Sequence, residues 1–532
     1  MSPLKPNRRQ ILAGLAASVA IPALPQLARA QGSATLTVAT GPVPVYLNAA
    51  LSTGGGEAAV SGKMMDGLLT YGEGMSPEPQ LAESWEVSED GLTVTFKLRP
   101  GVMWHDGEPF TSEDVRFSVM EVLKVFHGRG RATFANVTEI ETPDELTAVF
   151  KLTKPAPAMM SALNAQESPM LPAHVYVGTD IQQNPANLSP IGTGPYKFVS
   201  YAPGETLVME RNPDYWDEGK PLIDQLIFRY ISDGSTRAAM LETGEADLVG
   251  SSQLPTIEIL RFQSLDGFEV NGAGYEHTPS IHLCDFNLRR PQWQDKRVRQ
   301  ALNFAIDNKW VAENVWFGLA SPGTGPLHVQ QKAFYTTEGV PNYDIDLEKA
   351  EALLDEAGYP RGEDGWRFSM VIDAVQYGEE PPRAAEYMRE QFREIGINAE
   401  ARVNDFAAYV KRVYTDHDFD LTSYTASAGA DPAIGVQRFY WSKNIKDGVP
   451  FSNGSGYASD EADALLEAAA VETDLEKRKQ LYADFQAVAM EDVPVIQLVY
   501  DAKKTITSTN VKDYVQGALS FFGNFADVHK DA

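Results

Sequence analysis

Residues 79–119 read PQLAESWEVSEDGLTVTFKLRPGVMWHDGEPFTSEDVRFSV, and two periodicities meet inside them. Trp85 and Val87, then Leu92, Val94, Phe96 and Leu98, alternate with polar residues around a Ser-Glu-Asp-Gly turn. A period of two broken by a turn cluster predicts a β-hairpin with one buried face. From residue 110 the period changes. Behind a Thr-Ser-Glu-Asp start, Val115, Val119 and Val122 recur at helical spacing, which predicts a helix to about residue 125.

The same mixture continues outward. DKRVRQALNFAIDNKWV opens on Asp295, a good N-cap, and repeats apolar residues at Val298, Leu302, Ala305 and Ile306, so an amphipathic helix against a sheet is expected. Further helices are expected from near Asp346 (closing at Gly358, ahead of Tyr359-Pro360), Arg383, Ser459 and Asp474, with a strand at 369–373 between them. The fold class is therefore α/β. Neither an internal repeat nor a Pro/Ser-rich tether is visible, so any lobes must join through short crossings.

Composition narrows the functional classes. The 532 residues, 43% hydrophobic and 22% charged, suit a globular protein with about three to four domains' worth of chain at ~150 residues each. Lys and Arg number 45 against 73 Asp and Glu, a net charge of -28 that repels phosphate backbones and argues against a nucleic-acid partner. With Cys284 as the single cysteine, neither an internal disulfide nor a multi-cysteine zinc site is possible. In its apolar strand context Cys284 reads as a small buried residue rather than a nucleophile.

Residues 1–30 read as an export signal peptide. KPNRRQILAGLAASVAIPALPQLARA, from Lys5, has a basic start, an apolar stretch interrupted by Pro22 and Pro25, and a small-x-small site at Ala28-Arg29-Ala30. The Arg8-Arg9 pair ahead of Ile11-Leu12 gives it twin-arginine character, with an ordinary Sec signal as the alternative. Cleavage after Ala30 removes four basic residues and no acids, leaving an acidic, cysteine-poor protein suited to the periplasm.

Signatures of catalysis are missing. The chain has neither G-x-S-x-G nor H-E-x-x-H. The phosphate-loop lookalike from Gly56 to Gly62-Lys63 has one spacer too many and ends on Met64, so it reads as a turn into a helix. His277 and His282, five apart, fall on opposite faces of a strand and make a poor metal pair. Adjacent side chains in Asp416-His417-Asp418 diverge on a loop. No enzyme activity, cofactor or metal site is expected.

The 79–119 stretch also resembles the signature of the family 5 extracellular solute-binding proteins, the peptide- and nickel-binding components of ABC importers. Similar blocks follow in order: GTGPYKFVSYAPGE from Gly192, RNPDYWDEGKPLIDQLIFRYISD from Arg211, LETGEADLV from Leu241, and FNLRRPQWQDKRVRQALNFAID from Phe286. KAEALLDEAGY, the Asp431-Pro432 turn and KRKQLYADFQ continue the likeness. The resemblance implies a two-lobe periplasmic binding protein fold with a hinge-separated cleft. Lobe one would hold residues 31–278, with an inserted subdomain at about 73–190, and return over 500–532; lobe two would be 279–499. It implies a monomer that captures a small solute or short peptide and hands it to membrane permease subunits. A non-peptide cargo (an opine, sugar derivative, modified amino acid or metal chelate) is the alternative. An envelope hydrolase and a chaperone are the competing classes.

Candidate ligand contacts lie near expected strand ends: Tyr46 after the first strand, Tyr275, Glu276 and His277 at the first crossing, and Asp373 and Tyr377 at the end of a lobe-two strand. Tyr424, Ser427, Asp431, Arg438 and Trp441 surround the loop SYTASAGADP at 423–432. Family members that bind peptides by a free amino terminus carry an aspartate three residues before the D-P turn. Here that position is Ala428, and 423–430 contains no acid. An ammonium group, if present, is therefore expected on Glu276, Asp373 or Asp431, although Asp431 also reads as a helix cap.

Overall fold

A computed structural model describes residues 34–376 and 378–531. The export segment 1–30 lies outside the described residues. The hairpin forms as expected in its pairing: Ala82–Val87 runs antiparallel to Thr93–Leu98, with Trp85 opposite Phe96 and Val87 opposite Val94. Its burial is less symmetric. Val94, Phe96 and Leu98 are buried, whereas Val87 is 46% exposed. The reason is position, because Ala82–Val87 is an edge strand of a four-stranded sheet completed by Thr147–Leu152 and Val137–Asp144. Thr111 and Asp114 then form a reciprocal capping box that starts the helix Ser112–Phe117. The helix loosens into a π-helical turn over Ser118–Leu123, and Val115, Val119 and Val122 are fully buried. Hairpin and helix thus close the core of a separate subdomain.

Two larger sheets carry the lobes. The first orders seven strands as Phe268–Asn271, Thr505–Ser508, Leu248–Val249, Thr35–Thr40, Gln225–Tyr230, Thr206–Arg211 and Tyr196–Ala202. The second orders six as Ala320–Pro322, Val495–Asp501, Ser280–Asp285, Leu421–Ser427, Phe368–Val375 and Ile397–Asn404. The chain passes from one sheet to the other over residues 272–279 and back over 502–504. The passages are eight and three residues long.

Asp295, Asp346, Ser459 and Asp474 all cap their helices through side-chain acceptors. The helix expected from near Arg383 starts earlier, at Glu380, because Pro381 and Pro382 fit its first turn and need no helical N–H partner. Cys284 is fully buried in Ser280–Asp285, its Sγ 3.8 Å from the Met388 sulfur. The phosphate-loop lookalike is the helix Gly55–Met64. Its buried Lys63 donates to the carbonyls of Phe521 (2.6 Å) and Gly523 and lies 3.8 Å from the Phe525 ring centre, fastening the returning C-terminal segment. Among the described residues, no helix is long and apolar enough to cross a membrane.

The glycines of GTGPY serve a close approach. A Cβ on Gly192 would fall 1.8 Å from the Met64 carbonyl oxygen, so the crossing has no room for a side chain. Gly192→Ala should therefore lower the unfolding free energy by about 1–3 kcal/mol in denaturant titration. Gly55→Ala, whose Cβ would meet nothing within 4 Å, should change it little.

Candidate functional site

Two hollows are lined from both lobes. The smaller, ≈ 170 Å³, lies between Arg129, Glu167 and His277 on one side and Ser427, Gly429 and Arg438 on the other. The larger, ≈ 830 Å³, is bounded by Ser232, Arg237 and Thr256 and by Trp316, Glu380 and Thr425. Lys503 lines both. Thr425 and Ser427 are two apart on Leu421–Ser427 and so share a face of the strand. The hollows are therefore adjoining chambers of one cleft, with the crossing segments at its base. The lobes already touch across it, since the Thr256 hydroxyl donates to Glu380 Oε1 at 2.7 Å. A groove of ≈ 900 Å³ on lobe two and a hollow of ≈ 560 Å³ beside the C-terminal segment are each confined to a single lobe.

The smaller chamber is rich in charge. Arg129 and Glu167 form a bidentate pair, both bonds 2.7 Å, and largely cancel each other. Arg438 has no such partner. Its Nη2 donates to the Ser427 carbonyl at 2.8 Å, its guanidinium carbon lies 4.6 Å from the Phe439 ring centre, and no carboxylate comes within ion-pair distance among the described residues. Burial, then the neighbouring Arg129 charge, lowers its pKa to about 10. The Lys503 ammonium lies 5.7 Å from the Phe522 ring centre, and burial lowers its pKa to about 8 against the pull of Asp501. His277 stacks on Tyr71, takes a 2.7 Å hydrogen bond from Asn164 at Nε2, and is pushed down to about 4 by burial. Four buried polar atoms of lining residues lack a partner among the described residues: Gln166 Oε1, His277 Nδ1, Thr278 Oγ1 and Arg438 Nε.

Of the residues expected from sequence, the structure brings His277, Ser427 and Arg438 to this chamber. Others have partners elsewhere. Tyr275 is buried, its hydroxyl bonded to Thr505 Oγ1 at 2.6 Å and accepting from Ser251 N at 2.8 Å. Tyr424 is fully buried, with its hydroxyl on both oxygens of Asp285 at 3.1 and 3.2 Å. Trp441 donates to Glu467 at 2.9 Å, and Tyr46 is half-buried with its backbone N–H 3.4 Å from Glu57. Tyr377 lies outside the described residues.

Two of the three expected ammonium anchors are otherwise engaged. Asp373 forms a bidentate pair with Arg402 at 2.8 Å and accepts from Asn404. Asp431 caps Ala433 N and is clamped by Arg478 at 2.7 and 2.8 Å, both side chains buried. Their negative charge is already matched by a guanidinium, which removes the reason to draw in a ligand cation. Glu276 is half-buried and lines neither chamber, though its Oε2 is buried without a partner.

Sequence reading missed Arg129, Glu167, Gln166, Thr278 and Lys503. The one available signal was Lys503-Lys504 falling at the return crossing, which brings basic residues to a hinge. The remaining chemical-looking motifs are dispersed. Asp416, His417 and Asp418 pair separately with Lys411, Asp447 and Arg290 with Arg412. His282 bonds to Ser423 at 2.9 Å and Thr425 at 3.1 Å.

Comparisons with known proteins agree on one family. The description "Bacterial extracellular solute-binding proteins, family 5 Middle" matches residues 76–448. A Brucella ovis protein named as an ABC transporter peptide-binding protein is 30% identical over 454 residues, covering 82% of this chain and 81% of its own. Among solved structures, NikZ from Campylobacter jejuni in complex with Ni(L-His) is 27% identical with a TM-score of 0.79, covering 92% of this chain and 97% of its own. DppA from Helicobacter pylori in complex with the peptide STSA is 26% identical with a TM-score of 0.76, covering 94% and 98%.

Asp431→Asn should cost about 3–5 kcal/mol of stability, because it leaves Arg478 buried without its counter-charge. Thermal or denaturant unfolding measures this. A variant of unchanged stability but weakened solute binding would return Asp431 to the ligand.

Proposed function

This chain belongs to the family 5 bacterial extracellular solute-binding proteins, and from that membership we propose that it is the periplasmic receptor of an ABC importer for a peptide or peptide-like solute. Residues 1–30 direct export by the twin-arginine route, and the mature protein delivers its cargo to the membrane permease subunits as a monomer. Lobe one comprises 31–278, including the inserted subdomain, and the C-terminal segment; lobe two comprises 279–501 rather than 279–499, since the strand Val495–Asp501 lies in the second sheet and the return begins at 502. The observation that carries the reading is the cleft lined by both lobes, whose buried polar atoms lack protein partners. A solute bonded to both sides stabilises the closed form, because only that form offers all contacts at once. No bond to the solute need be made or broken.

A second reading concerns the cargo alone. The smaller chamber, ≈ 170 Å³, falls below the ~300–1,000 Å³ usual for ligand sites. That size favours a compact solute such as a modified amino acid or a metal chelate, or the terminus of a peptide whose remainder fills the larger chamber.

Small-angle scattering tests the receptor role. Gently purified protein should carry a solute detectable by native mass spectrometry. Stripping it should enlarge the radius of gyration, and restoring it should reverse the change. Steady hydrolysis of a peptide or glycan library, abolished by a substitution in the cleft, would instead make the protein an envelope hydrolase. Weak binding of many apolar segments without compaction would make it a chaperone.

A further inference from the structure

The smaller chamber holds hydrogen-bond donors with nothing to receive them. Asn164 Oδ1 accepts from the backbone N–H groups of Gln166 (2.8 Å) and Glu167 (3.1 Å), which turns its amide nitrogen towards His277. That nitrogen donates to His277 Nε2 at 2.7 Å. A neutral imidazole that accepts at Nε2 carries its hydrogen on Nδ1, and burial keeps His277 neutral. His277 Nδ1–H is thus a buried donor without an acceptor, as is Arg438 Nε–H, and the Thr278 hydroxyl is also unpartnered. The Lys503 ammonium lines the same space and makes no ion pair within 4 Å among the described residues. Buried polar groups are hydrogen-bonded in the great majority of cases, so several exceptions on residues that line one cavity call for a missing partner.

Gln166 Oε1 is the one unpartnered acceptor of the set; the other three groups donate, so the missing partner must chiefly accept, and the charges beside them require it to be negative. With Arg129 and Glu167 cancelling, Arg438 and Lys503 leave the chamber cationic although the whole chain carries -28. Asp501, on the larger chamber, offsets part of the Lys503 charge and none of the contacts of Arg438. An ionised carboxylate is acceptor-only, with two oxygens and about four lone-pair sites, which matches such a donor set. We infer that the cleft selects its solute by a carboxylate bound in the smaller chamber by Arg438, Lys503 and His277, and not by an ammonium group. This rests on the reading of the cleft as the solute site. Carboxylates on the solute then replace the counter-charge that the protein withholds, and closure is favoured only when they are present.

The test uses the full mature protein and a defined pool: dipeptides, N-acetylated dipeptides, N-acetylated amino acids and small dicarboxylic acids, each with its matching carboxamide. Competitive native mass spectrometry reads the bound members, and scattering reads closure. Free acids should be retained with or without N-acetylation, and each carboxamide should bind roughly ten- to a hundredfold more weakly. Arg438→Gln and Lys503→Gln should each bring the acids down to the level of their amides. Without solute, Arg438→Gln should melt no lower than wild type, since it removes a half-buried charge that has no counter-ion. If Arg438→Gln fails to fold, Lys503→Gln and the acid-against-amide comparison decide. Carboxamides held as tightly as acids, loss of binding on N-acetylation, or failure to bind any acid would overturn the inference. Closure on carboxamides alone would leave the receptor role standing and remove only the carboxylate, whereas turnover of the pool would remove the receptor role itself.

Discussion

The Tyr275 hydroxyl ties together the two passages between lobes. It sits in the outgoing crossing, bonds to Thr505 just beyond the returning one, and takes the N–H of Ser251 from lobe one. This buried knot fastens both crossings to the lobe-one sheet. His277 lies two residues after Tyr275 and Lys503 two residues before Thr505. Two of the three proposed recognition groups, His277 and Lys503, are therefore carried by the crossings themselves, while Arg438 comes from the lobe-two helix Gln437–Tyr440.

Electrostatics explains why such a cleft responds to a solute. Two buried carboxylates of lobe two are matched by arginines, Asp373 by Arg402 and Asp431 by Arg478. Arg438 and Lys503 are left outside that accounting. Both are half-buried, a cation drawn partly out of water without a full counter-charge is disfavoured, and the lowered pKa values of both groups express that. On the proposed reading, opening the lobes returns water to them, an anionic solute supplies what water otherwise would, and the balance between open and closed forms rests on these groups.

The scaffold was legible in the sequence because local rules dominate it. The hairpin at 82–98, the capping box at Thr111 and the caps at Asp295, Asp346, Ser459 and Asp474 follow from spacing and residue type alone. Even Val87 is a failure of context, since alternation cannot say which arm of a hairpin becomes an edge. The site was legible only in part. His277, Ser427 and Arg438 lie in segments whose strand-end position could be read, but Arg129, Glu167 and Lys503 reach the chamber through packing between distant segments. Asp373 and Asp431 looked available because their arginine partners are 29 and 47 residues away, a distance no local pattern crosses.

The most direct measurement is a crystal structure of the protein purified with its solute. This account predicts the closed form, with a solute carboxylate ~2.7–2.9 Å from Arg438 Nε and the Lys503 ammonium and one of its oxygens facing His277 Nδ1. An ammonium or a neutral group of the solute in that chamber, or a solute bound outside the two-lobed cleft, would contradict it.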